Sequence, residues 1–178
     1  MRRLPSKTLI IALAFVLSGC SVVESVISSG PEIPCPRFGI LKDASEVTRF
    51  VRGGGRDLTD VEYRARIQEI GGACDYDDGQ VDLDYVLTFF VERGPAAIAT
   101  EGSFVFFVAY LDPDKRVLFR EERVRPYVFV EGAPIVAIRE EISFTLDLTG
   151  GTNGPRHQVV AGLALSESEL QYNRQQGW

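Results

Sequence analysis

The sequence has few of the residues on which most catalytic and metal sites depend. Its 178 residues include one histidine, His157, and three cysteines. His157 lies in the segment GGTNGPRHQ with no nucleophile motif beside it, which is typical of a solvent-facing loop histidine. So few histidines and cysteines also provide too few soft ligands for zinc. We therefore expect no metal site, no cofactor and no catalysis, unless carboxylates distant in the sequence come together in the fold.

Apolar runs long enough to cross a bilayer, which need about 20 residues, are also absent from the sequence. The run at residues 9–17 (LIIALAFVL) follows Arg2, Arg3 and Lys7 and leads into small residues. A basic start, a short apolar run and small residues at its end are typical of a secretory signal peptide. Residues 1–19 are therefore predicted to be a signal peptide that is removed.

The end of this segment resembles the lipobox of bacterial lipoproteins. Leu17-Ser18-Gly19-Cys20 has that motif's leucine, two small residues and cysteine. In the family, the cysteine thiol receives a diacylglyceryl group through a thioether, and cleavage leaves this cysteine as the first residue. The resemblance implies that Cys20 carries a lipid and tethers the chain to a membrane. Ser21 stands where an aspartate commonly retains lipoproteins of enteric bacteria in the inner membrane, so it favours the outer membrane, facing the periplasm.

Positive charge is scarce once the signal peptide is removed. The remaining chain has 16 basic and 25 acidic residues, a formal charge of −9. This charge argues against a nucleic-acid partner and against electrostatic binding to anionic lipid, so we expect membrane contact through the N-terminal lipid alone. Residues 20–34 are predicted to be the lipidated cysteine and a flexible tether, and residues 35–178 a single domain.

Two cysteines remain after Cys20 is assigned to the lipid. In an oxidising compartment, an unassigned pair such as Cys35 and Cys74 is most simply explained as a disulfide. A redox-active pair would more often have two residues between its cysteines. We therefore predict a structural Cys35–Cys74 disulfide.

The domain's apolar residues alternate with polar ones, as they do in half-buried strands. The clearest alternation is at residues 61–67, 81–91, 142–148 and 159–165, and further candidate strands are 37–41, 44–51, 104–111, 117–124 and 127–130. Short turn segments separate these runs, which favours an all-β, antiparallel two-sheet sandwich of immunoglobulin-like type. A small β-barrel is the alternative. The capping box at 166–169 (SESE) predicts a short C-terminal helix followed by a loose tail.

Two charged clusters in the sequence are candidate ligand sites. Asp75, Asp77, Asp78, Asp82 and Asp84 do not have the spacing of a calcium loop, and Asp78-Gly79 is better explained as a hairpin turn beside a polar strand face.

The second cluster, Arg49, Arg52 and Arg56, surrounds three consecutive glycines, whose amides together with the guanidinium groups are a weak candidate for binding an anion. No phosphate-loop motif follows, so a flexible hairpin loop with solvated arginines is the simpler interpretation.

Residues 104–110 (FVFFVAY) are apolar on both alternating faces, unlike an ordinary sandwich strand. Residues 127–138 (YVFVEGAPIVAI) are similarly apolar. The second face is either covered by the protein's own loops or exposed to a partner. We treat Val105, Phe107, Tyr127 and Phe129 as a candidate partner surface, with aromatic rings as its main contacts.

Several phrases of the domain resemble uncharacterised lipoproteins of alphaproteobacteria: Pro34-Cys35-Pro36, 57–65 (DLTDVEYRA), Gly72-Ala73-Cys74, 93–97 (RGPAA) and Tyr172-Asn173-Arg174. This resemblance implies no known activity. The leading hypothesis is a non-catalytic binding or structural module of the cell envelope with an envelope protein as its partner. A small module that binds an anionic ligand and an envelope enzyme without a recognisable motif are the alternatives.

The lipid assignment gives a direct prediction. Because acylation requires the thiol, Cys20→Ala is expected to leave the precursor unprocessed and unlipidated. Mass spectrometry of the mature wild-type N-terminus is the measurement. An unmodified Cys20, or cleavage at another bond, would contradict the assignment.

Overall fold

A computed structural model describes residues 34–77, 79–147 and 156–177. The predicted signal peptide, Cys20 and residues 21–33 of the tether lie outside these residues. Within them, no helix combines the length and the apolar character that a membrane span requires.

Eight strands and one α-helix form the described domain. Their bounds are β1 Arg37–Ile40, β2 Glu46–Phe50, β3 Val61–Asp77, β4 Gln80–Arg93, β5 Glu101–Leu111, β6 Val117–Val128, β7 Ile135–Asp147, β8 Gln158–Leu163 and α1 Glu167–Gln176. The strands make two four-stranded sheets: a front sheet of order β1-β8-β5-β6 and a back sheet of order β2-β3-β4-β7. The predicted all-β two-sheet sandwich with a short C-terminal helix is confirmed.

The core lies between the two sheets and is built by strand alternation. Every second residue of β4 from Val81 to Val91 is almost fully buried. Phe89, from this series, packs against Phe104 and Phe106 of the front sheet, with ring centroids 5.0 and 4.9 Å away. Each such aromatic or branched side chain contributes about 1.5–3 kcal/mol when it leaves water, so this layer holds the sheets together.

Strand pairing departs from the prediction at two places. β1 runs parallel to β8, because the chain leaves β1 through a 3₁₀ helix, Lys42–Ala44, and crosses to the other sheet rather than turning back as a hairpin. In β3, a register shift between Ile67 and Glu69 moves the inward positions from odd to even residue numbers. β3 therefore continues to Asp77, well beyond the alternation that predicted it.

The predicted hairpin turn joins β3 to β4. Asp77 pairs with Gln80, and Gly79 between them has a φ of +87°, which glycine adopts without strain. Asp78 itself lies outside the described residues. Asp82 and Asp84 are exposed on the outer side of β4, as predicted from the strand pattern.

The structure joins Cys35 to Cys74, as predicted from the sequence, with the Cα atoms 5.6 Å apart. The Tyr76 hydroxyl donates a hydrogen bond of 3.2 Å to the Pro34 carbonyl beside this disulfide. The start of the domain is thereby fastened to β3.

Removing this covalent link should measurably destabilise the fold. For the 39-residue separation, the chain-entropy model gives a loss of about 4 kcal/mol in the free energy of unfolding. Urea denaturation of the double variant Cys35→Ala/Cys74→Ala measures this loss, and wild type unfolded in the presence of reductant is the control. Unchanged stability, or alkylation of both thiols in the untreated protein, would show that the disulfide does not form.

Candidate functional site

The helix α1 and the 3₁₀ helix Lys42–Ala44 pack together beside β2, an edge strand of the back sheet. The buried Asn173 side chain connects them, because its Nδ2 donates to the carbonyl oxygens of Asp43 at 2.9 Å and Glu46 at 2.7 Å. α1 starts at the predicted capping box: Ser166 and Glu169 each receive the other's backbone N–H. This packing brings Leu170 and Arg174 of α1 near Phe107, Arg120 and Glu122 of the front sheet.

A groove lies where these helices meet the outer face of the front sheet, with a cavity volume of about 470 Å³. Its apolar lining consists of Leu41, Ala44, Phe107, Leu163, Ala164, Leu165 and Leu170, and its charged lining of Lys42, Asp43, Arg120, Glu122 and Arg174. We call this set of residues the front groove. Its apolar floor and charged rim are the features of a binding site for a partner's side chains.

Phe107 forms the floor of the front groove. It points away from the core on β5 but is only 5% exposed. The Arg120 guanidinium lies 4.0 Å from the centre of its ring, a cation–π contact. On the neighbouring strand, a Cβ at Gly162 would lie 2.7 Å from a Phe107 ring atom, so the absence of a side chain there lets the ring lie against β8.

Charged side chains on the rim of the front groove are mostly paired. Arg174 meets Asp43 at 2.8 Å, and Arg120 meets Glu122 at 2.6 Å. Lys42 is exposed, and no carboxylate of the described residues lies within salt-bridge distance of it. Three cations against two carboxylates give this rim a formal charge of +1.

The back sheet's outer face has a very different charge. Among the residues whose side chains the structure describes, its outward strand positions carry nine carboxylates, Glu46, Glu62, Asp75, Asp77, Asp82, Asp84, Glu92, Glu141 and Asp147, and three arginines, Arg64, Arg66 and Arg139. Their formal charge is −6. The outward strand positions of the front sheet carry two cations, Arg37 and Arg120, and two carboxylates, Glu101 and Glu122. Negative charge is therefore concentrated on the side of the domain away from the front groove.

The structure separates the four predicted partner-surface residues. Phe107 lines the front groove, and Val105, half-buried on the same side of β5, pairs with Val124 of β6, which is 66% exposed. The prediction is wrong for Tyr127 and Phe129, which are 6% and 5% exposed.

Tyr127 and Phe129 instead belong to the core. The Tyr127 ring packs against Tyr63 and Phe129, with centroids 5.1 and 5.0 Å apart. The alternation of β6 points Tyr127 between the sheets, and Phe129 is held there because its N–H donates to the Thr100 carbonyl.

The glycine loop places Arg49 and Arg56 on a second pocket of about 260 Å³, together with Ser166, Ser168 and Glu169 at the start of α1. Arg52 does not line it. Arg49 pairs with the Glu169 carboxylate at 2.9 Å, which already neutralises the charge of this arginine. An anion that entered the pocket would therefore also be repelled by the Glu169 carboxylate. The anion-binding assignment stays a prediction.

His157 does not face solvent, contrary to the expectation from its glycine- and proline-rich surroundings. It is 1% exposed, and its ring stacks on Tyr110 with centroids 5.0 Å apart. The reason is its place just before β8, where its carbonyl accepts a hydrogen bond from the Arg37 N–H of β1. Burial raises the pKa of the Tyr110 hydroxyl to about 12, so this group stays protonated at neutral pH.

The structure also shows where the remaining charged candidates lie. Within the described ranges, no three histidine, cysteine, aspartate or glutamate side chains meet in an arrangement that could hold a metal ion. Glu140 points between the sheets while Glu141 points outward, as expected for strand neighbours.

Sequence reasoning missed most of the front groove. Leu41, Lys42 and Leu170 come together only through the packing of α1 on the 3₁₀ helix. No alternation or motif marks such a wall, since it joins segments more than a hundred residues apart. The one sequence feature that indicated part of the groove was strand β5, which is apolar on both faces.

The groove wall should depend on Asn173. In Asn173→Ala the Asp43 and Glu46 carbonyls lose their donor, so we expect a loss of about 1–3 kcal/mol in the free energy of unfolding and faster hydrogen exchange in α1. Gln175→Ala, an exposed change in the same helix, is the control. Equal stability of the two variants would show that the amide does not hold the helix.

The chain matches no protein-family model, no curated protein and no solved structure.

Proposed function

We propose that this protein is a non-catalytic binding module of the cell envelope, held at a membrane by the lipid on Cys20, and that the front groove binds a protein partner. The observation that carries the proposal is an open apolar groove that the domain's own helices border but do not fill. Its position over the doubly apolar strand β5 explains why that strand has two apolar faces.

The composition of the front groove supports a protein partner. Its floor is an aromatic ring beneath an arginine, the residue types enriched at binding hot spots. Leu41 at its border is 41% exposed, and the Val105–Val124 pair extends the apolar surface along β6. Apolar contacts at the centre with charged groups around them are the usual anatomy of a non-obligate interface.

The proposal predicts where a partner touches the domain in living cells. A photo-crosslinking amino acid at Leu41 should capture a protein of defined mass, because this position borders the groove. The same amino acid at Ile98, an apolar residue that is 93% exposed and does not line the groove, is the matched control.

A second variant separates binding from folding. With the crosslinking amino acid placed instead at Glu122, an exposed position on the opposite wall of the groove, Leu41→Asp should reduce capture while the melting temperature stays unchanged, since Leu41 is largely exposed. Capture that is as strong from position 98 as from position 41, or capture from position 122 that survives Leu41→Asp undiminished, would contradict the assignment of the groove.

A further inference from the structure

We infer that the front groove is specific for an acidic and apolar segment of its protein partner, in which carboxylates flank an aliphatic or aromatic side chain. This inference rests on the proposed function and names the chemistry of the occupant. It follows from the charges around the groove, from the geometry over Phe107 and from the charge of the rest of the domain.

The charge distribution of the domain restricts where an acidic segment can bind. The outward positions of the back-sheet strands have a formal charge of −6, those of the front-sheet strands are neutral, and the groove rim is +1. Like charges brought together at an interface cost free energy, so the back sheet repels an acidic segment. The front groove lies on the other sheet, where that repulsion is absent.

Two cations stand where such carboxylates would arrive. Lys42 extends from the 3₁₀ helix on one wall without a carboxylate of the described residues near it, and Arg120 extends from β6 on the other. A partner carboxylate beside Lys42 adds an exposed ion pair that the free domain lacks. Asp43 and Glu122 are already paired with Arg174 and Arg120, so Lys42 is the rim charge that a partner can pair with at no loss of an existing ion pair.

The geometry over Phe107 explains the apolar part of the specificity. Arg120 covers the ring at 4.0 Å and also pairs with Glu122, so its guanidinium is held in one orientation. An apolar side chain that enters the groove contacts Leu41 and Leu170, because the Phe107 ring beneath is only 5% exposed, while a neighbouring carboxylate on the same segment reaches the guanidinium from the solvent side. Specificity then requires both features on one segment, close together.

Two short peptides test this chemistry against the purified domain by isothermal titration calorimetry. One alternates aspartate with leucine and phenylalanine, and the other has lysine in place of each aspartate. The aspartate peptide should bind at least tenfold more tightly. Lys42→Glu should weaken its binding by about fivefold, as expected when an exposed rim charge is inverted.

The matched control is Arg139→Glu, which inverts an exposed cation on the outer face of the back sheet. This variant should leave binding of the aspartate peptide unchanged. Equal or tighter binding of the lysine peptide, or equal weakening by Arg139→Glu and Lys42→Glu, overturns the inference. So does tighter binding of oleate than of the aspartate peptide, or occupation of the groove by a second copy of the chain, seen as heat on dilution.

The outcome is separable from that of the proposed function. If neither peptide binds but Leu41 still captures a protein in cells, the chemistry inferred for the segment is wrong and the groove remains the binding site. If the peptides and the crosslinks both fail, the groove assignment itself is wrong.

Discussion

The Asn173 amide holds together the part of the molecule on which binding would depend. It donates to one carbonyl of the 3₁₀ helix and to one carbonyl of the edge strand β2, so α1 is joined through one buried side chain to two neighbouring segments that lie 130 and 127 residues earlier in the sequence. Such a group satisfies backbone oxygens that the edge strand would otherwise expose. The helix that it fixes is short and mostly polar, and would hardly fold alone.

The opposite side of the sandwich is closed by charges rather than by a helix. Arg123 and Arg125 of β6 point inward and meet Glu140 of β7 at 3.8 and 3.3 Å, and Arg123 also pairs with Glu121. Inward charges on two edge strands make pairing with another strand costly, because the charged side chains would have to give up their present ion pairs. Ion pairs therefore protect the β6 and β7 edges from pairing with another strand. On the other side of the domain, the packing of α1 beside the edge strand β2 has this role.

Strand alternation predicted the architecture because each sheet has one buried face, and burial of that face is the largest favourable term in folding. It failed where tertiary packing overrode local pattern. The register shift after Ile67 inverted the pattern of β3, and the polarity of its loop disguised the burial of His157. The strand pattern around Phe107 was enough to mark this residue as unusual. The groove above it is bordered by the 3₁₀ helix and α1, and no local sequence pattern connects these two segments.

The disulfide has a mechanical consequence. A pull on the chain before residue 34 reaches Cys35 first, and the Cys35–Cys74 bond transfers the load directly to β3. The load then acts along β3 and β4, whose long ladder of hydrogen bonds resists sliding together, instead of peeling away the four residues of β1 one bond at a time. Force applied through the N-terminus would therefore bypass β1, the strand that leads to the groove, and leave the shape of the groove intact.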